Sequence, residues 1–204
     1  MTRALRRFLR EAPASPVPQE RCELCATPVA AEHPHLVEPA QRRLLCACPA
    51  CGVLFSDAGQ RYRRVPDRYL TDPGFTLSEA QWDALQVPVG MAFFLVNSVR
   101  SAVVACYPSP AGATESELPL EAWADGVGSS ALAALLEPDV EALLVRRGEA
   151  GRSVGPVALL VPVDACYRLV GLVRRHWKGF DGGVEAWAAI DAFFADLRER
   201  AVPC

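Results

Sequence analysis

The sequence contains no apolar run of the length that a membrane-spanning helix needs. Such a helix takes roughly 20 consecutive apolar residues, and every apolar stretch among the 204 residues is shorter. The first ten residues, MTRALRRFLR, are basic and amphipathic, and they lack the apolar core of a secretory signal. We therefore expect a cytoplasmic protein without a membrane span, in a compartment where thiols stay reduced.

Lysine and histidine are scarce, and this limits the catalytic motifs that the chain can carry. Lys178 is the single lysine beside twenty arginines, and the histidines lie at positions 33, 35 and 176. The segment 107–116, YPSPAGATES, lacks the lysine of a P-loop, and no GxGxxG motif occurs. No Ser/His/Asp set or pair of acids has usable spacing. The sequence therefore does not favour an enzyme, although an enzyme braced by a metal site remains an alternative.

A strongly basic surface is also missing. Residues 1–70 carry 11 basic and 7 acidic side chains, whereas residues 71–204 carry 10 basic and 17 acidic ones. A nucleic-acid-binding protein usually presents a concentrated basic patch. We therefore expect nucleic acid to be an unlikely partner.

Cysteine, in contrast, is concentrated near the N-terminus. The strings CELC and CACPAC place two C-x-x-C pairs with 22 residues between them. Two such pairs are the spacing of a tetrahedral site of four thiolates, which here are Cys22, Cys25, Cys48 and Cys51. The pattern resembles zinc ribbons and rubredoxins over residues 20–55. It predicts bound zinc, with rubredoxin-type iron or an iron–sulfur cluster as the alternatives.

The two C-x-x-C turns differ in the residue that follows the second cysteine. Gly52 follows Cys51, and a glycine there can take the positive φ typical of such turns. Ala26 follows Cys25, so the first turn is expected to be strained or differently shaped.

Three further residues lie close to the predicted ligands. Cys46 precedes Cys48 by two positions, so in a strand both sulfurs would face the same side. Cys46 is therefore an alternative ligand, a residue that contacts the ligands, a contributor to a cluster, or a small residue buried beside the site. His33 and His35 could serve as ligands, but with four thiolates available we expect them to be solvated loop residues. Cys166, in the first turn of a predicted helix, is expected to pack in the core.

The rest of the chain predicts an α+β fold, a mostly antiparallel sheet with amphipathic helices on one face. Short apolar runs at 91–96, 102–107, 140–146 and 157–163 predict strands. Two amphipathic helices are predicted after Asp164 and after the glycines at 182 and 183, and residues 107–116 are expected to form a loop. The predicted organisation is an N-terminal helix and Pro-rich linker (1–19), a metal module (20–57), a connection with a short helix (58–86) and an α+β domain (87–204).

Four strings together carry a wider resemblance: RLLCACPAC, QWDALQVPVGMAFF, YPSPAGATES and RHWKGFDGG. They resemble an uncharacterised family of actinobacterial proteins over most of residues 20–200, and genes of that family often lie beside those of nickel–iron hydrogenases. The resemblance implies an accessory role in hydrogenase maturation, assembly or electron transfer, with a hydrogenase subunit or maturation factor as the partner. It supplies no catalytic residues. The alternative function is a zinc-ribbon adaptor that binds nucleic acid or another protein and has no redox role.

Overall fold

The structure, a computed structural model, describes residues 19–56, 61–148 and 155–204. The predicted N-terminal helix therefore lies outside the described residues. The strands are β1 His35–Glu38, β2 Arg43–Cys46, β3 Arg63–Arg64, β4 Leu70–Thr71, β5 Met91–Asn97, β6 Ala102–Ser109, β7 Gly112–Ser116, β8 Glu141–Arg146, β9 Val157–Pro162 and β10 Val202–Pro203. The helices are α1 Pro49–Leu54, α2 Glu79–Ala84, α3 Leu120–Asp125, α4 Ala131–Leu135, α5 Val163–His176 and α6 Gly183–Arg200.

The larger of two sheets has the strand order β10-β4-β9-β8-β5-β6-β7, and all its pairings except β10–β4 are antiparallel. The four apolar runs identified in the sequence form its centre, β9, β8, β5 and β6. The α+β class with a mostly antiparallel sheet is thus confirmed.

Residues 107–116 form a hairpin rather than the predicted loop. β6 extends to Ser109 and pairs with β7, with Ser109 opposite Gly112. The Ser109 hydroxyl donates to the Gly112 carbonyl at 3.0 Å, and Gly112 has a φ of 133° that lets the chain reverse within two residues. The proline and glycine residues that indicated a loop therefore belong to a tight turn between two paired strands.

Helices cover both faces of the large sheet, so the predicted one-sided arrangement is wrong. Neighbouring residues of β5 point to opposite faces: Phe93 packs in the core beneath α5 and α6, and Phe94 packs in a second core. The second core is closed by residues of the short helices, including Trp82 of α2 and Leu132 of α4. Apolar side chains on both faces of β5, β8 and β9 require this second layer.

Both predicted helices are present near the end of the chain, where the short strand β10 follows them. α5 buries Leu169, Val170 and Val173 against the sheet, and α6 buries Ile190, Phe194 and Leu197 beside them. No helix within the described ranges is long and apolar enough to cross a membrane.

A smaller sheet of order β2-β1-β3 carries the cysteine-rich segment. Its β1–β2 hairpin has two apolar faces. Leu36 and Leu45 pack around the cysteines, whereas Val37 and Leu44 pack against the main core beneath α5 and α6. The hairpin is therefore held between the cysteine cluster and the large sheet.

The segment predicted as a connection, residues 58–86, contributes to both sheets. Its strand β3 pairs with β1, and β4 pairs with β9. The predicted short helix is α2, which begins with a capping box: Ser78 Oγ accepts from the Gln81 N–H, and the Gln81 side chain accepts from the Ser78 N–H.

Candidate metal centre

Backbone hydrogen bonds close the first cysteine turn. The N–H of Cys22 donates to the Thr27 carbonyl at 2.8 Å, and the N–H of Ala26 donates to the Cys22 carbonyl at the same distance. Ala26 has a φ of 62°, in the left-handed region that glycine adopts without penalty. The expected strain of this turn is therefore present at Ala26.

The second turn lies between the end of β2 and the start of α1. Cys48 is the N-cap of α1, Pro49 takes the first helical position, and the Cys51 N–H lies 3.5 Å from Cys48 Sγ. Proline suits this position because its missing N–H would have no partner there. The cap and first turn of a short helix thus orient both sulfurs.

The predicted role of Gly52 is wrong. Gly52 lies inside α1 and is not among the residues with positive φ. A Cβ at this position would lie 3.0 Å from Cβ of Pro34. Glycine is favoured here by the close approach of Pro34 rather than by backbone conformation.

Four sulfurs converge where the two turns meet. One ligand atom from each of Cys22, Cys25, Cys48 and Cys51 lies within 4.8 Å of the others, and Cys25 Sγ is 3.7 Å from Cys48 Sγ. In a tetrahedral zinc–thiolate site, Zn–S bonds of about 2.3 Å place the sulfurs about 3.8 Å apart. These four residues, called the four-cysteine centre below, have the donor set and spacing to hold a metal ion.

The electrostatics of the four-cysteine centre differ from thiol to thiol. Burial alone would raise the pKa of Cys22. Hydrogen bonds from the backbone of Cys48, Leu24 and Cys25 outweigh this effect and lower the Cys22 pKa to about 6. A hydrogen bond with the Thr27 hydroxyl, 3.3 Å away, lowers the pKa of Cys25. Cys22 is therefore poised as a thiolate, the form that binds metals.

The pKa of Cys51 moves the other way. Burial is the main cause that raises the pKa of Cys51 to about 12, and hydrogen bonds with the neighbouring thiols add to this effect. A cluster of four thiols in one place cannot ionise together without a cation to compensate the charge. A metal ion would supply that compensation and displace the remaining protons.

Only Cys25 of the four is exposed, since Cys22, Cys48 and Cys51 are buried. The buried apolar residues around them are few: Val29, Leu36, Leu45 and Ala47, with Leu24, Phe55 and Tyr62 partly buried against them. Glu23 joins the two turns, because its N–H donates to the Cys46 carbonyl at 2.9 Å and its carboxylate accepts from the Cys46 N–H at 2.8 Å. The sequence did not predict these two hydrogen bonds, because nothing in the local pattern pairs Glu23 with Cys46.

Cys46 does not belong to the four-cysteine centre. β2 ends at Cys46 and α1 is capped by Cys48, so the two residues do not share one strand, and their sulfurs fall in different groups of candidate ligands. Cys46 lies opposite His35 in the β1–β2 register, and it groups with His33 and His35. The expectation that both sulfurs face one side is therefore wrong.

The histidines are not solvated either. The side chains of His33 and His35 are 4% and 21% exposed, respectively. Their imidazole rings lie 4.7 Å apart between centroids. The signal that could have placed them is their spacing of two residues in front of a strand, which puts both on one side of the extended chain.

The two buried cysteines outside the cysteine-rich segment, Cys106 and Cys166, have structural positions. Cys166, a residue of α5, is fully buried, as predicted. Its burial, and to a lesser extent the nearby Asp164 charge, raises the Cys166 pKa well above the usual range. Burial also raises the pKa of Cys106 to about 11. Both thiols are thus kept protonated and unreactive.

Residues 21–201 match a family of unknown function, DUF5947. The chain belongs to that family. No curated protein and no solved structure is detectably similar to it. The assignment agrees with the resemblance to an uncharacterised family and covers both sheets except the short strand β10.

Proposed function

We propose that this member of the DUF5947 family is a metal-binding accessory protein whose four-cysteine centre holds zinc as a structural brace. The convergence of Cys22, Cys25, Cys48 and Cys51 within 4.8 Å carries the proposal. Four thiolates at tetrahedral corners are a typical closed, structural zinc site, with no coordination position left for a substrate.

The size of the surrounding core supports the bracing role. Among the described residues, this cluster has four buried apolar side chains and three buried cysteines, with three partly buried residues, Leu24, Phe55 and Tyr62, packed against them. Such a small core is rarely stable alone. Structural zinc contributes about 10–16 kcal/mol of apparent binding free energy in small modules at neutral pH, and much of it appears as folding free energy.

The accessory role for a nickel–iron hydrogenase rests on the resemblance of the sequence strings, and membership of a family of unknown function is compatible with it. In this proposal the larger sheet and its helices form the docking body, and the four-cysteine centre keeps the β1–β2 hairpin in place against it. If the metal were iron, the same centre would carry one electron.

The ion pairs of five arginines weigh against a nucleic-acid adaptor. Five arginines of residues 42–68 pair with acidic side chains: Arg42 with Glu115, Arg43 with Glu23, Arg61 with Glu38, Arg63 with Asp139 and Arg68 with Glu141. Their charges are compensated within the protein, whereas phosphate binding needs uncompensated cations.

Anaerobic purification with metal analysis and a visible spectrum tests the proposed metal. We expect a colourless protein that retains zinc, and Cys48→Ser should lose zinc from the four-cysteine centre and unfold that region. Cys204→Ser, which removes an exposed cysteine away from the centre, should behave as the unchanged protein. A red, reducible protein would contradict the zinc brace and indicate that the four-cysteine centre holds iron and carries an electron.

The accessory role needs a separate test. In the source organism, deletion of the gene should reduce the hydrogenase activity or the amount of mature large subunit, and the tagged full chain should co-purify with a hydrogenase component. Normal activity and maturation in the deletion strain would contradict the hydrogenase role and leave the zinc brace intact.

A further inference from the structure

A second group of metal-ligand side chains lies on the opposite face of the β1–β2 hairpin from the four-cysteine centre. One ligand atom from each of His33, His35 and Cys46 lies within 4.8 Å of the others. His35 and Cys46 are cross-strand partners, and side chains in this position lie close on one face. By alternation they share that face with Val37 and Leu44, which point toward the larger domain.

One nitrogen of each imidazole already has a partner. Nδ1 of His33 lies 2.8 Å from the Ala30 carbonyl, and Nδ1 of His35 lies 3.1 Å from Oδ2 of Asp164 at the start of α5. A metal-binding histidine commonly donates its other ring N–H to a carbonyl or a carboxylate, which orients the ring. Both rings are therefore held with Nε2 as the remaining ligand atom.

His33 shows that this remaining nitrogen lacks a partner. Its side chain is 4% exposed, and its Nε2 is buried without any hydrogen-bond partner. Buried polar atoms almost always have a partner, so such an atom needs an explanation. A metal ion bound at Nε2 supplies one.

We propose that His33, His35 and Cys46 form a second metal site, separate from the four-cysteine centre, that binds a zinc ion through three protein ligands. Two imidazole nitrogens and one thiolate are a donor set that zinc accepts, and three protein ligands leave the fourth tetrahedral position to water or another small ligand. Bonds of about 2.0–2.3 Å place neighbouring ligand atoms about 3.3–3.8 Å apart, so the three side chains, each with one ligand atom within 4.8 Å of the others, need only a small adjustment to bind one ion.

The surroundings of this second site differ from those of a closed structural centre. His33, His35 and Asp164 line a cleft of about 610 Å³ between the small sheet and the start of α5. A ligand could thus reach the fourth position from solvent. The four-cysteine centre, in contrast, supplies all four ligands itself.

Zinc titration of the full chain against a competing chelator tests the second site. We expect the protein to bind two zinc ions per chain, and Cys46→Ser and His35→Gln each to bind one. His176→Gln, which changes the remaining histidine outside the cluster, should still bind two. Circular dichroism checks that each variant keeps the fold, so that a lost ion reports a lost site.

A second variant probes the orientation of His35. Asp164→Asn should weaken binding of the second zinc ion by about 10- to 100-fold and leave the first unchanged. Asp67→Asn, which alters an exposed acid in the same cleft, should change neither. A stoichiometry of one in the unchanged protein, or of two in both Cys46→Ser and His35→Gln, would overturn the second site without affecting the four-cysteine centre.

Discussion

Arg68 compensates a carboxylate that lies entirely inside the protein. Glu141, the first residue of β8, has no exposed surface. Arg68 donates from Nε to Glu141 Oε1 at 2.8 Å and from Nη2 to Oε2 at 2.7 Å, and the Glu137 N–H donates to Oε2 at 3.0 Å. The hydrogen bond to Glu141 is the main cause of a raised Arg68 pKa. This pair connects the segment before β4 to the centre of the large sheet.

We expect Arg68→Ala to destabilise the protein strongly. Removing one partner of a buried ion pair costs about 3–5 kcal/mol, because the remaining charge is left without compensation. Arg68 is itself 37% exposed, so water can enter part of the space that it leaves. The lower end of the range, about 3 kcal/mol, is therefore the expected loss of unfolding free energy. For a chain of this size the Tm should fall by about 6–12 °C.

Thermal denaturation of zinc-loaded protein, followed by circular dichroism, measures this loss. Adding Glu141→Gln to Arg68→Ala should recover at least half of it, because glutamine keeps the acceptor for the Glu137 N–H and removes the buried charge. Lys178→Ala, which breaks an ion pair whose partners are both about 70% exposed, serves as the control and should leave the Tm unchanged within error. If Arg68→Ala lowers the Tm no more than Lys178→Ala, or if Glu141→Gln recovers nothing, the reasoning is refuted.

Three further predictions concern the cysteine turn, the turn before α6 and the pH dependence of metal binding. Ala26→Gly should raise the unfolding free energy of the zinc-loaded protein by about 0.5–1 kcal/mol in chemical denaturation, because glycine relieves a φ of 62°; no gain would contradict the strain. Gly182→Ala should lower the Tm, because Gly182 has a φ of 87° and a Cβ there would lie 2.9 Å from the Trp177 ring. Gly171→Ala, at a position in α5 with open space, should raise the Tm slightly. Equal effects of the two substitutions would contradict the steric explanation. Because the pKa of Cys51 is raised to about 12, zinc must displace the proton of this thiol at neutral pH. Calorimetry in buffers of different ionisation enthalpy should therefore show proton release and tighter zinc binding as the pH rises. A zinc affinity independent of pH would contradict this prediction.

The sequence predicted the elements whose signals are local. The apolar run at 91–96 corresponds to β5, and the short helix predicted within residues 58–86 corresponds to α2. The sequence did not predict that short helices cover the second face of the sheet. Helices such as α4, with five residues, are too short to show an apolar periodicity, so their packing over Phe94 could not be predicted.

The spacing of the two C-x-x-C pairs was sufficient to select Cys22, Cys25, Cys48 and Cys51 as candidate ligands, because each pair is brought together by its own tight turn. The position of Cys46 was decided by the tertiary structure. The chain changes from strand to helix between Cys46 and Cys48, and the pairing of β1 with β2 places Cys46 opposite His35. Asp164 reaches His35 only because α5 packs against the hairpin from more than a hundred residues away. Local spacing determines which sulfurs can share a turn, whereas contacts between distant segments determine which face each side chain occupies.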